Sequence, residues 1–148
     1  MTTPDKKPIG PDDLKRLARA LGLYVLKDKL NPEELASGLP SLELLAYPEG
    51  TDIVLEGNRE TDLYVLSKGF ATVFREGRQV ARLAAGDIFG EVAFTEGPPK
   101  TRSATVRAGE GCEAFRCQAV GFTDLVSKHP ALLKSIKGIA QTRLKKPV

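Results

Sequence analysis

The sequence predicts a mainly β protein with flanking helices: an antiparallel β roll, jelly-roll-like and of about eight strands, between N-terminal helices and a C-terminal helix pair. Short apolar runs of strand type, broken repeatedly by glycine, occupy the stretch from about residue 42 to residue 117. Helical periodicity is confined to the segments before and after it. No strand in the run alternates with a helical pattern, which argues against a parallel sheet and for a roll, sandwich or barrel. At 148 residues the chain fits one domain, a size at which folding removes about two thirds of the surface from water.

Residues 1–10, with two prolines, two lysines and little to bury, read as a flexible leader. The N-terminal helices are expected within 11–40. Pro11, Asp12 and Asp13 suit a first turn, Leu14, Leu17, Ala18 and Leu21 form a stripe, and Gly22 is a stop. Asn31-Pro32-Glu33-Glu34 starts a second helix, which Gly38 and Pro40 end. The roll with its closing helices is assigned to 41–148. Its expected strands are Leu42–Tyr47, Ile53–Leu55, Leu63–Ser67, Phe70–Arg75, Gln79–Leu83, Ala104–Val106 and Glu113–Cys117. Glu76-Gly77-Arg78 reads as a tight hairpin. Phe122, Leu125 and Val126 make a short helix ending at His129-Pro130. A last helix follows with Leu132, Leu133, Ile136, Ile139, Ala140 and Leu144 on one stripe.

Composition excludes several classes. Two cysteines and one histidine are too few for a zinc module or a disulfide scaffold, so no metal is expected. Cys112 and Cys117, five apart, read as a core thiol and a neighbour. No run of 18 apolar residues is present and no apolar signal core follows Met1, so no membrane partner and a cytoplasmic location are expected. Residues 31–126 carry nine Lys/Arg against fifteen Asp/Glu, whereas residues 127–148 carry six Lys/Arg and no acid. The basic end suits a helix C-terminus or an acidic partner surface.

The chemistry concentrates in Gly86-Asp87-Ile88-Phe89-Gly90-Glu91-Val92-Ala93-Phe94 and Arg102-Ser103-Ala104-Thr105-Val106. Gly90 lacks a Cβ, so its backbone N–H can approach a ligand closely. Glu91 to Phe94 suit one helical turn whose orphan N–H groups face an anion. Arg102 supplies a planar fork matched to phosphate oxygens, and Ser103 adds a hydroxyl. An ionised Glu91 only accepts hydrogen bonds, which suits a sugar hydroxyl. No nucleophile–base pair, carboxylate pair or P-loop emerges, so no catalytic residues and no enzymatic activity are expected.

In these segments the chain resembles the cyclic nucleotide-binding domain family. Tyr47-Pro48-Glu49-Gly50, Glu56-Gly57, Asp62-Leu63-Tyr64-Val65-Leu66 and Gly69 are similar to its entry strands. Phe89 to Ala93 and Arg102 to Val106 are similar to its phosphate-binding cassette, and Phe122, His129-Pro130 and the last helix to its closing elements. The resemblance implies a ligand, cAMP or cGMP, and no catalytic cofactor. It implies that Gly90, Val92 and Ala93 present N–H groups, that Glu91 holds the ribose 2′-OH, and that Arg102 and Ser103 bind the cyclic phosphate. It further implies that Val73, Val80 and Leu83 line the base or sugar and that Arg143 faces the pocket from the closing helix. No helix-turn-helix follows that helix, so DNA is not an expected partner.

The function this implies is a stand-alone cyclic nucleotide sensor that signals by repositioning its C-terminal helix, towards a separate protein or a second copy. The alternative is an interaction domain that keeps the roll without the ligand, suggested by the long 95–101 loop with its Pro98-Pro99 pair. Nucleic-acid binding through the basic ends ranks last, because residues 127–148 hold no aromatic platform.

Overall fold

The computed structural model describes residues 3–22, 32–90 and 101–143. Among them a short strand β1 (Asp5–Lys7) and helices α1 (Pro11–Ala20) and α2 (Pro32–Gly38) precede the roll. The roll is built from β2 (Glu43–Ala46), β3 (Asp52–Val54), β4 (Leu63–Lys68), β5 (Phe70–Arg75), β6 (Arg78–Ala84), β7 (Ile88–Phe89), β8 (Thr105–Ala108) and β9 (Glu113–Cys117). Helices α3 (Ala119–Lys128) and α4 (Pro130–Arg143) follow. The strands form a five-stranded sheet in the order β1-β2-β9-β4-β7 and a four-stranded sheet in the order β3-β8-β5-β6. Every pairing among the described residues is antiparallel.

Two cores result, one on each face of the five-stranded sheet. Successive side chains of a strand point to opposite faces. On β4, Tyr64 and Leu66 therefore enter the core between the sheets, whereas Leu63 and Val65 enter the core shared with the helices. On β9, Ala114 faces the first core and Phe115 and Cys117 the second. A strand covered on both faces reads as a continuous apolar run, which is why Leu63 to Leu66 do not alternate with polar residues. Leu17, Ala18 and Leu21 from the α1 end, Leu35 from α2, Phe122, Leu125 and Val126 from α3, and Leu132 and Ile136 from α4 cover the outer face.

Local signals explain the elements. Gly10 N–H donates to Asp13 Oδ2 at 2.8 Å and tethers the first turn of α1. Gly22 sits at φ +75° just beyond that helix. The β5–β6 connection is a two-residue turn in which Glu76 and Gly77 both take positive φ, +52° and +78°, the geometry of a type I′ hairpin. Beyond it the register shifts between Val73 and Phe74, and this bulge leaves Val80 exposed.

Three readings of the sequence need correction. Residues 1–10 do not form only a leader: Asp5, Lys6 and Lys7 pair with Ala46, Leu45 and Leu44 as an edge strand. All three are exposed, so backbone pairing and the Lys6–Glu43 ion pair at 3.5 Å hold them without any apolar signal. Ile88–Phe89, outside the expected strands, forms β7 against Val65 and Tyr64. Cys112 and Cys117 are both buried core thiols, one in each core.

Candidate functional site

Arg102 is the largest fully buried side chain among the described residues, 1% exposed. Its backbone is clamped to the loop after β3: Arg102 N–H donates to Asn58 O at 2.7 Å, and Gly57 N–H donates to Arg102 O at 2.8 Å. Its guanidinium reaches inward. Nη1 donates to the Gly90 carbonyl at 3.0 Å and Nη2 to the Asp62 carbonyl at 2.7 Å. The guanidinium carbon lies 6.0 Å from the centroid of the Tyr64 ring, which is stacked on Phe89 at 5.0 Å and an interplanar angle of 5°. A charge this deep is tolerable because it is hydrogen-bonded and lies against an aromatic pair.

Gly90 is positioned as tightly. Its φ is +93°, and a Cβ there would stand 2.5 Å from Asp62 O and 3.0 Å from Arg102 Nη1. Only glycine fits both the backbone angle and the space. The structure thus brings Gly90 and Arg102 together, although they are twelve residues apart.

Ser103 lies beside them at a cleft of about 450 Å³ lined by Glu56, Gly57, Arg75, Glu76, Thr101, Arg102 and Ser103. Arg75 Nε donates to Ser103 O at 3.3 Å and Arg75 Nη2 to Ser103 Oγ at 3.4 Å. Glu56 shapes the opposite wall: its Oε1 accepts from Glu76 N–H at 3.0 Å, and its own N–H donates to Thr105 Oγ1 at 3.0 Å. Of the residues proposed to line the base or sugar, Val73 and Leu83 are fully buried in the core between the sheets, and Val80 is 49% exposed. Glu91, Val92 and Ala93 lie outside the described residues, and Arg143 is the last residue of α4.

Asp62 ties this site to the closing helices. Its carbonyl accepts from Arg102, while its carboxylate accepts from Arg116 Nε at 2.7 Å and from Ala119 N–H at 3.1 Å. Ala119 opens α3, whose own N-cap residue, Gln118, makes no side-chain cap bond. Asp62 supplies that cap from the start of the neighbouring strand, where Leu63 pairs with Cys117. Burial pushes the Tyr64 phenol far above its ordinary range, with Glu60 adding to the effect; Tyr64 Oη donates to Glu60 Oε1 at 3.3 Å. Sequence reading gave Arg75 only as the end of a strand, and it noted Glu56 and Asp62 only as parts of strand motifs. Asp62 contacts Arg102 through a main-chain carbonyl, which every residue possesses, so residue type carried no signal for it.

A two-sheet roll backed by helices, with a buried arginine aimed at a glycine loop, defines a ligand-binding regulatory module. The model of the family described as "Cyclic nucleotide-binding domain" matches residues 44–129, and the chain belongs to that family. Over 145 residues it is 25% identical to potassium/sodium hyperpolarization-activated cyclic nucleotide-gated channel 4 of Oryctolagus cuniculus, a match covering 97% of this chain and 12% of the channel. The chain therefore spans about an eighth of that channel's length. The catabolite activator protein of Thermus thermophilus is similar with a TM-score of 0.66 and 26% identity over 83% of this chain and 58% of its own. A cAMP-bound PfPKA-R structure shares the fold, with a TM-score of 0.63 and 21% identity over 88% of this chain and 47% of that one.

Proposed function

We propose that this chain is a cyclic nucleotide sensor that takes cAMP or cGMP through Arg102, Ser103 and the Gly90–Ala93 segment and signals through its C-terminal helices. The observation that carries the reading is the buried Arg102 guanidinium, bonded to the carbonyls of Gly90 and Asp62. Neutral carbonyls are weaker acceptors than a phosphate, and a charge-assisted bond is roughly twice as strong as a neutral one. A cyclic phosphate arriving beside Gly90 therefore competes for the guanidinium. In this reading Glu91 accepts from the ribose 2′-OH, Val92 and Ala93 offer N–H groups, and Arg143 approaches the ligand from the closing helix.

Asp62 gives the binding event a route outward. It holds Arg102 by its carbonyl and the start of α3 by its carboxylate, so releasing one changes the balance at the other. The ligand then shifts the population between two placements of α3 and α4. A separate protein with an acidic surface, or a second copy of the chain, reads that shift against the basic 127–148 segment. The coupling of site to helices is the module's output, and no chemical step is assigned to it.

Isothermal titration calorimetry with cAMP and then cGMP tests this directly. Micromolar binding corresponds to about −8.2 kcal/mol, and Arg102→Ala is expected to remove about 1.5–3 kcal/mol of it, an affinity loss of roughly ten- to a hundredfold. Arg102→Lys, which keeps the charge and loses the fork, should fall between the two. Absence of heat with both nucleotides, in protein shown to be folded, would overturn the sensor reading and favour an interaction domain without the ligand.

A further inference from the structure

A second cavity, of about 390 Å³, opens on the opposite face of the five-stranded sheet, between α1 and β4. Its walls divide by chemistry. Arg16 and Arg19 stand on one side, three residues apart and so neighbours on the helix surface. Ala20, Val65 and Phe115 form an apolar part. Ser67 joins them, at the bulge where the β4–β9 register shifts between Leu66 and Lys68.

Ser67 is the unusual member. It is 7% exposed, and its hydroxyl has no hydrogen-bond partner among the described residues. Buried hydroxyls are nearly always partnered, and leaving one unmade carries the full cost of desolvating it. The guanidiniums nearby are also lightly committed: the ion pair of Arg16 is with Asp13 on its own helix at 3.7 Å, and both arginines are exposed. Asp87, next to the cavity's Gly86, turns its carboxylate onto the Ala84 amide at 2.8 Å.

We propose that this cavity is a second ligand site, separate from the Arg102 site, for a small organic anion: a carboxylate or phosphate on an apolar body. Arg16 and Arg19 bind the charged end, the Ser67 hydroxyl donates to one of its oxygens, and the apolar body lies against Ala20, Val65 and Phe115. The volume falls within the range of small-molecule pockets, and the mixture of apolar lining with a few polar groups is their usual composition. The inference does not depend on cyclic nucleotide binding.

The test is a set of amide-shift titrations of the ¹⁵N-labelled full chain with phenyl phosphate, benzoate and inorganic phosphate. Saturable shifts at Arg19, Ser67 and Gly86 with phenyl phosphate or benzoate are expected, with the tighter of the two naming the anion, and inorganic phosphate should bind far more weakly. The double variant Arg16→Gln/Arg19→Gln should weaken binding about tenfold or more. Ser67→Ala should weaken it too while thermal stability holds or rises, because an unpartnered hydroxyl is removed. No saturable shift at these amides, equal affinity in the double variant, or equal affinity for inorganic phosphate would overturn the proposal. A cAMP titration that moves Arg102 and Ser103 while phenyl phosphate stays bound keeps the sites distinct. Displacement of phenyl phosphate from Ser67 by cAMP would merge them and overturn it.

Discussion

Gly90 and Arg102 show how two residues define one another's place. Arg102 Nη1 reaches the Gly90 carbonyl because the backbone at 90 passes close to Asp62, and it passes close only because no Cβ intervenes. Gly90→Ala is expected to lower stability by about 1–3 kcal/mol, since alanine at φ +93° is strained and its methyl meets Asp62 O at 2.5 Å. A urea titration reads the loss, and calorimetry should show weaker nucleotide binding in the same variant, because the backbone N–H that Gly90 is proposed to present to the phosphate is displaced with it. An unchanged unfolding midpoint would mean that the loop yields freely and that Gly90 does not fix Arg102. The sequence already pointed to this pair, because a glycine and an arginine in that setting are an anion-binding combination whatever the fold. It did not point to Asp62 or Arg75. Their parts depend on a carbonyl and on a contact between residues 28 apart, neither of which residue type reveals.

Elements follow the same logic one level up, and the β5–β6 hairpin gives the cleanest case. Glu76 is the one non-glycine residue with positive φ among the described residues, at +52°, and its neighbour Gly77 stands at +78°. A type I′ turn prefers asparagine followed by glycine there, because asparagine tolerates the left-handed region. Glu76→Asn is therefore expected to stabilise the protein by about 0.5–1 kcal/mol, read as a raised melting temperature. The Glu76 N–H bond to Glu56 Oε1 involves only the backbone of residue 76, so the substitution leaves it in place. A lowered melting temperature would show that the glutamate side chain contributes something the turn geometry does not. This hairpin was legible because turn chemistry is local, and Phe70–Arg75 and Glu113–Cys117 were legible because strand patterns are. β1 and β7 were not. The first buries no apolar side chain, and the second is two residues long between Gly86 and Gly90.

At the scale of the molecule the governing fact is that one sheet serves both cores. β2, β4 and β9 each send side chains to the roll interior and to the helix layer, so neither core can open without losing the sheet that the other packs on. The two cysteines report on this, Cys112 from the roll core and Cys117 from the helix-side core. Burial pushes the Cys112 thiol up to about 11, with Glu113 adding, and burial pushes Cys117 up to about 12, with Asp62 adding. In the unfolded chain both titrate near their ordinary value of about 8.5. A thiol whose pKa is raised on folding contributes its stability in full below the unfolded value and loses it as pH climbs through the folded one. Unfolding free energy should thus be flat near neutrality and fall above about pH 8.5, by about 1.4 kcal/mol per pH unit for each thiol. The buried phenols of Tyr47 and Tyr64, also pushed up by burial, steepen the fall above about pH 10. Urea midpoints measured across that range should drop, and replacing both cysteines by alanine should flatten the first part of the limb. Thiol labelling during the same urea transition separates cooperative from stepwise opening. Because the sheet is shared, Cys112 and Cys117 should become reactive at one urea concentration. Exposure of Cys117 well before Cys112 would mean that the helix layer detaches while the roll stands, and the two cores would then be separate folding units.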